Sequence, residues 1–130
     1  MEVMEVSVMS QENRLEKTNR INRLFDFYEP LLTEKQQMFL KYYFHDDFSL
    51  GEIASEFEIS RQAVYEHIKR AEQVLEMYEE KLGLLSKHER RSQDLKELNT
   101  ALHEAFGKMG EVHEGTLQHV RQIINRLQEL

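Results

Sequence analysis

Five side chains near the middle of the chain have the types and spacing of a nucleic-acid contact: Arg61, Gln62, Tyr65, Lys69 and Arg70. An arginine can pair with phosphate or guanine, and a glutamine amide can read the edge of adenine. Tyrosine and lysine suit contacts to the sugar-phosphate backbone or stacking on a base. On one helix the five would occupy the first turns and project from its accessible side. The pattern predicts a binding surface for nucleic acid.

No other residues in the sequence have the arrangement of a reactive or metal-binding site. The chain has six histidines and no cysteine. His103-Glu104 is followed by Gly107 where an HExxH zinc motif needs its second histidine. The acidic pair Asp46-Asp47 has no neighbouring nucleophile or base and is typical of a solvated surface. We therefore predict no catalytic residue, no metal site and no cofactor, and hence no enzyme.

The sequence around the five candidates has the form of a helix-turn-helix. The segment LGEIASEFEISRQAVYEHIK, residues 50–69, reads as a short helix, a tight turn and a longer helix. Ser49 with Glu52 forms a capping box for the first helix, and Ser60 caps the second. Ala54 is small where the two helices must cross closely. The motif would present the five side chains to a partner.

The rest of the chain is also helical by its spacing. One proline and five glycines in 130 residues leave few breaks, and apolar residues recur at three- and four-residue steps. We predict an all-α fold with a sigma-region-4-like helix-turn-helix domain over residues 17–85, whose fourth helix is long. A loose tail, residues 1–16, precedes it, and a C-terminal helical extension, residues 86–130, follows. Thr18 is the expected start of the first helix and Pro30 its end.

Three consecutive aromatic residues, Tyr42, Tyr43 and Phe44, end the second predicted helix. Aromatic rings can stack on bases. Because Phe39 and Leu40 lie in the same helix, the three rings are more typical of core and helix contacts. We expect them in the core.

An apolar seam runs along the long fourth helix beyond the motif. Leu75, Tyr78, Leu82 and Leu85 continue its four- and three-residue steps, which are typical of a helix packed along its length. The far end of the seam lies beyond the expected reach of the first two helices. The pattern therefore favours a homodimer with these four residues at its interface. An alternative, in which the C-terminal helices fold back over the seam, stays open.

The charge of the chain weighs against a duplex partner. Seventeen lysines and arginines stand against 24 acidic residues, a net charge of -7, and from Ser49 to Arg70 three bases stand against four acids. Such a field attracts a phosphate backbone poorly, so any contact with nucleic acid must be local. On these residues alone, a pure packing unit and a nucleic-acid contact are equally compatible with the motif.

The sequence predicts a cytoplasmic protein. No stretch has the length and apolar character of a membrane span, and the N-terminal region lacks the apolar segment of a signal peptide. The absence of cysteine agrees with an intracellular location.

Three stretches of the chain carry a resemblance to a known family: LFDFYEPLLTEKQ (24–36), SLGEIASEFEISRQAVYEHIKRAE (49–72) and MYEEKL (77–82). They resemble the YlxM family, also called p13, of small bacterial proteins with a helix-turn-helix similar to region 4 of sigma factors. The resemblance covers about residues 16–90 and follows a tail longer than the usual family start.

The resemblance implies a role in protein targeting, because the family is encoded beside the GTPase of the signal recognition particle and its receptor. It implies a non-enzymatic accessory or regulatory protein of that pathway, which binds the particle's RNA, its GTPase or both. The alternative is a DNA-binding transcriptional regulator of the sigma-region-4 type. The negative charge favours the first, since a protein partner needs no basic field and folded RNA can be met by a small patch.

Overall fold

The computed structural model describes the backbone of residues 2–108 and 114–129, and the side chains of residues 12–107 and 115–129. Within this part of the chain the regular elements are helical, which confirms the predicted all-α class. A 3-10 turn, Glu29–Leu31, follows the first helix, and a π-helical turn, Lys41–His45, follows the second. The α-helices are α1 (Glu2–Tyr28), α2 (Glu34–Leu40), α3 (Leu50–Phe57), α4 (Arg61–Leu82), α5 (Leu84–Lys108) and α6 (Glu114–Glu129).

The first helix begins much earlier than the sequence indicated. α1 starts at Glu2, so the predictions of a loose tail and of a helix start at Thr18 are wrong. No proline or glycine interrupts this span, and the lower helix propensity of its valines costs only about half a kcal/mol per residue. Pro30 lies in the 3-10 turn just after the helix, where its end was expected.

Short-range caps set the boundaries of α2, α3 and α4. Thr33 and Ser49 each form a capping box at the start of α2 and α3. The hydroxyl of Ser60 accepts a hydrogen bond from the backbone N–H of Ala63 at 3.1 Å and starts α4. Gly83 ends α4 in the left-handed conformation, with φ of 63°. Caps of this kind stabilise a helix by about 1 kcal/mol each.

The chain forms two units, Met1–Leu85 and Ser86–Leu130. In the second unit, Leu95 of α5 and Ile124 of α6 are buried. The core of the first unit is formed mainly by α1 to α4 and the turns between them, so the two helices of the helix-turn-helix pack against α1 and α2. Its largest fully buried side chains are Tyr28, Phe39, Leu24, Leu40, Ile53, Leu75 and Val64.

The predicted apolar seam runs from α4 into the start of α5 and is partly covered within the first unit. Leu75 is fully buried and Leu85 is 3% exposed, whereas Leu82 is 44% exposed. Tyr78 packs its ring against Tyr28 of α1, with 5.9 Å between the ring centroids. The other helices therefore reach Tyr78, contrary to the expectation, because α1 extends alongside α4 to Tyr28. Leu85 lies in α5, beyond Gly83, and is buried.

Candidate nucleic-acid interface

The turn between α3 and α4 sets the direction of the predicted recognition helix. Glu58 ends α3 in the left-handed conformation, with φ of 55°, which costs a non-glycine residue about 1–2 kcal/mol. The backbone N–H groups of Glu58 and Ile59 both donate to the carbonyl of Ala54. Ala54 itself is buried, as its small size in the helix crossing predicted. The turn leaves the first residues of α4 exposed.

Three of the five predicted residues form a column along α4. Arg61, Tyr65 and Lys69 follow one another at four-residue spacing and so lie on one side of the helix. Arg61 and Tyr65 are exposed, and Lys69 is half-buried. The Lys69 ammonium lies 5.5 Å from the centroid of the Tyr65 ring, within the range of a cation–π contact. We call these three residues the α4 column.

The guanidinium of Arg61 lies against α3 at Gly51. A Cβ atom placed on Gly51 would be 3.0 Å from Arg61 Nη2 and 3.1 Å from Nε. These distances are shorter than ordinary contacts between heavy atoms, about 3.5–4.0 Å. The glycine hydrogen therefore allows the guanidinium to rest on the first turn of α3, which joins that turn to the α4 column.

Gln62 and Arg70 are exposed but lie outside the column. The Gln62 amide donates a hydrogen bond to the Glu66 carboxylate at 3.5 Å, so a group that repels phosphate lies beside the predicted adenine reader. Arg70 is nine positions after Arg61, which places it about 180° around the helix at 100° per residue. The structure therefore does not gather all five residues at one point.

The surroundings of His67, which lies on the Arg70 side of α4, disfavour the charged form of its ring. The His67 ring stacks on Phe39 at 4.8 Å with an interplanar angle of 9°. Burial lowers the pKa of His67, and the positive charges of Lys35 and Arg70 lower it further. The histidine therefore contributes no positive charge to this surface at neutral pH.

The nearly buried carboxylate of Glu72 lies beside Lys69, at the C-terminal end of the α4 column. Glu72 is 8% exposed, and its Oε2 lies 3.2 Å from Lys17 Nζ and 3.5 Å from Lys69 Nζ. Lys17 and Glu72 were not among the residues predicted from the sequence. A signal exists, since Glu72 follows buried Ile68 by four positions and precedes buried Leu75 by three, and a charge on the core side of a helix needs a partner.

Tyr43 is exposed, in contrast to the expectation that it joins the core. Phe44 is buried and Tyr42 is half-buried, as expected, but Tyr43 is 37% exposed. The cause is the π-helical turn, in which the Asp46 N–H donates to the Lys41 carbonyl at 3.0 Å. Such a turn holds one more residue than an α-helical turn and changes which side chains face the core. Nothing in the sequence signalled it.

Among the residues that the structure describes, no three or more histidines, aspartates and glutamates are grouped so that they could hold a metal ion. In the same part of the chain, no helix combines the length and the apolar character needed to cross a membrane.

The chain is similar to a set of bacterial proteins over the region that contains these residues. Residues 15–114 match the model of the UPF0122 family, described as "helix-turn-helix protein, YlxM / p13 like". The match extends past residue 90, where the recognised sequence motifs end.

Relatives in three bacteria illustrate the similarity. A UPF0122 protein of Halalkalibacterium halodurans is 61% identical over 88 residues, which cover 68% of this chain and 81% of that protein. A UPF0122 protein of Listeria welshimeri is 59% identical over 87 residues, covering 67% and 79%. One from Geobacillus kaustophilus is 53% identical over 98 residues, covering 75% and 89%.

Proposed function

The chain belongs to the YlxM / p13-like family of helix-turn-helix proteins, and we propose that it binds the RNA of the signal recognition particle through the α4 column. In this proposal the protein is a non-enzymatic, cytoplasmic accessory or regulatory factor of the targeting pathway. The family resemblance supports the assignment to this pathway, and it also implies the particle's GTPase as a second partner. The geometry of α4 supports the choice of contact surface.

A local group of cations in an acidic protein carries the proposal. The net charge is -7, yet Arg61 lies exposed at one end of the α4 column and Lys69 at the other, with Lys17 of α1 beside it. Because Glu72 offsets only one of the two lysines, the column keeps a positive surplus. A small cationic patch with an exposed tyrosine suits folded RNA, which proteins contact by stacking and by a few backbone contacts.

A DNA-binding regulator of the sigma-region-4 type is the alternative. The helix-turn-helix and the exposed Arg61 support it, since the first turns of the second helix enter the major groove in such proteins. Two features make it the weaker candidate. Gln62 is paired with Glu66, and tight duplex binding normally uses many phosphate contacts, for which the net charge is unsuited.

Homodimerisation is not part of the proposal. Of the residues assigned to a dimer interface, Leu75 and Leu85 are buried in the first unit, and the Tyr78 hydroxyl donates to the Leu31 carbonyl at 3.3 Å. Leu82 alone among the four is exposed. Met77 and Leu84 in the same stretch of the chain are exposed as well, so the homodimer stays a prediction.

A comparative titration tests the proposal. Wild type and the Arg61→Ala, Lys69→Ala double variant are titrated by fluorescence anisotropy against the particle RNA, a random DNA duplex and the purified GTPase, at one fixed salt concentration. We expect the wild type to prefer the RNA to the duplex. We expect the double variant to bind the RNA less tightly, with a salt slope smaller by about 2, because two phosphate contacts are lost.

A matched variant separates the surface from net charge. Lys81→Ala with Arg126→Ala removes the same two residue types from exposed positions outside the column and should bind like the wild type. Melting curves of all variants check that Glu72 tolerates the loss of Lys69. Tight, sequence-selective duplex binding without affinity for either particle component would favour the DNA regulator. Equal binding by the wild type and the double variant would show that the column is not the contact surface.

A further inference from the structure

An open groove of about 510 Å³ lies beside the α4 column in the first unit. Its volume is typical of small-ligand sites, roughly 300–1,000 Å³. Three of its lining residues are buried: the apolar Phe44 and Ile68, and the carboxylate-bearing Glu72. Tyr43 of the π-helical turn and Tyr65 of α4 also line it. The groove therefore combines buried apolar side chains, two aromatic rings and charged groups.

Both tyrosine rings of the groove are partly exposed, and the Lys69 ammonium lies over one face of the Tyr65 ring. Tyr43 is 37% and Tyr65 is 45% exposed. Tyr43 is held edge-on against Phe44, with 5.0 Å between the ring centroids and an interplanar angle of 87°. Exposed and oriented aromatic faces are the platforms on which proteins stack nucleic-acid bases, and the stacking tolerates any base.

The charged residues of the groove favour an anion. Arg14 and Lys17 of α1 and Lys69 of α4 line it, and Glu72 is the one carboxylate among its lining residues. Glu72 is shared by the two lysines, so the lining has a formal surplus of two positive charges. Flat aromatic platforms together with a positive rim fit a nucleotide, which combines a planar base with a phosphate.

The groove is continuous with the proposed contact surface. Tyr65 belongs both to the α4 column and to the groove. Leu50, which lines the groove, directly precedes Gly51, on which the Arg61 guanidinium rests. A nucleic-acid strand that contacts Arg61 therefore reaches the groove along one surface.

We propose that this groove receives one unpaired base of an RNA strand, stacked on Tyr43 and Tyr65, with the adjoining phosphates at Arg14 and Lys17. The inference rests on the proposed function, since it assumes that the α4 column binds RNA. A paired base lies inside a helical stack and must be extruded before it can enter such a site. The groove therefore selects loops and bulges over continuous duplex, which is the usual mode of specific RNA recognition.

The test compares two RNAs that share a stem and differ in whether they carry an unpaired loop. One is a hairpin with an unpaired loop, and the other is a blunt RNA duplex with the same stem. Wild type, Tyr43→Ala and Tyr43→Phe are titrated against both RNAs at one salt concentration, and the Phe variant is the matched control because it keeps the ring. Tyr43→Ala should bind the hairpin about 5- to 100-fold more weakly, the loss expected for one stacked base. Tyr43→Phe should bind the hairpin like the wild type, and affinity for the duplex should be the same for all three proteins.

A fluorescent variant gives a second readout that does not depend on the folding of Tyr43→Ala. The chain has no tryptophan, so Tyr43→Trp introduces a single reporter whose emission should be quenched by the hairpin and not by the duplex. Unquenched emission, or equal hairpin binding by Tyr43→Ala and the wild type, would overturn the groove proposal. If Arg61→Ala with Lys69→Ala still weakens binding in that case, the proposed function stands. If the wild type binds none of the three RNAs, the hairpin, the duplex and the particle RNA, the groove proposal and the proposed function are both overturned.

Discussion

Replacing Gly51 by alanine should weaken RNA binding without weakening the fold. The added methyl carbon would lie 3.0 Å from Arg61 Nη2, 3.1 Å from Nε and 3.2 Å from Cζ. Ordinary contacts need about 3.5 Å or more, so the guanidinium must move by about half an ångström or leave α3 entirely. The movement costs little, because the guanidinium is the end of a flexible side chain and can turn about its own torsions.

The effects on stability and on binding have opposite signs. Gly51 lies in the first turn of α3 with ordinary helical backbone, and alanine is preferred to glycine in helices by up to about 1 kcal/mol. We therefore expect the free energy of unfolding to stay the same or rise by up to about 1 kcal/mol. Arg61 keeps its charge in Gly51→Ala but loses its position on α3, so affinity for the particle RNA should fall, by no more than it does in Arg61→Ala, where the phosphate contact itself is lost.

A double-mutant cycle gives the assay. Urea unfolding measures stability, and anisotropy titration with the particle RNA measures affinity for the wild type, Gly51→Ala, Arg61→Ala and the double variant. If Gly51 acts only through Arg61, the double variant should bind no more weakly than Arg61→Ala alone. The reasoning is refuted if the two losses add, or if Gly51→Ala binds as tightly as the wild type while Arg61→Ala does not. A loss of stability above about 1 kcal/mol would refute the packing argument instead.

Two further predictions concern the fold. The Tyr28 hydroxyl donates to Glu79 Oε1 at 2.6 Å and accepts from the Leu84 N–H at 3.1 Å, so Tyr28→Phe should lower the free energy of unfolding by about 1–3 kcal/mol in urea. The half-buried Tyr42 provides the control, because its side-chain contacts within the described part of the chain are made by its ring. Tyr42→Phe should lower the free energy of unfolding by less than about 0.5 kcal/mol. Equal losses in Tyr28→Phe and Tyr42→Phe would contradict the role of the Tyr28 hydroxyl. Burial and nearby cations lower the pKa of His67 in the folded protein. Below the ordinary histidine pKa of about 6.5, His67 therefore binds a proton more readily in the unfolded chain than in the folded protein. Wild-type stability should therefore fall as the pH drops from about 6.5 through the lowered pKa, and His67→Phe, which keeps an aromatic ring, should lack this part of the loss; parallel melting temperature curves against pH would rule it out.

Local sequence predicted the helix-turn-helix because its determinants act over three or four residues. Ser49 and Ser60 accept hydrogen bonds from backbone N–H groups three positions on, and such caps need no distant partner. Ala54 could be placed in the helix crossing from its size and from the apolar residues around it. The start of α1 was missed because valines and a threonine weaken a helix only slightly, so their presence does not end one.

Only part of the candidate site could be predicted from the sequence. The α4 column could be predicted, because residues four positions apart must share a helix face whatever surrounds the helix. Arg70 lies on a different side of α4 from Arg61, because residues that are near in sequence need not be near around a helix; its predicted role stays a prediction. Tyr43 was assigned to the core because periodicity assumes a uniform turn, and the π-helical turn alters the register.

By itself, the sequence determined the helical class, the helix-turn-helix and the shared helix face of Arg61, Tyr65 and Lys69, all of which depend on periodicity and short-range hydrogen bonds. Only the tertiary structure decided what lies beside them. It placed Lys17 against Glu72, rested Arg61 on Gly51 and covered the α4 seam from α1. These contacts join residues of different helices, and their existence depends on how the helices pack in three dimensions, which spacing along one helix does not specify.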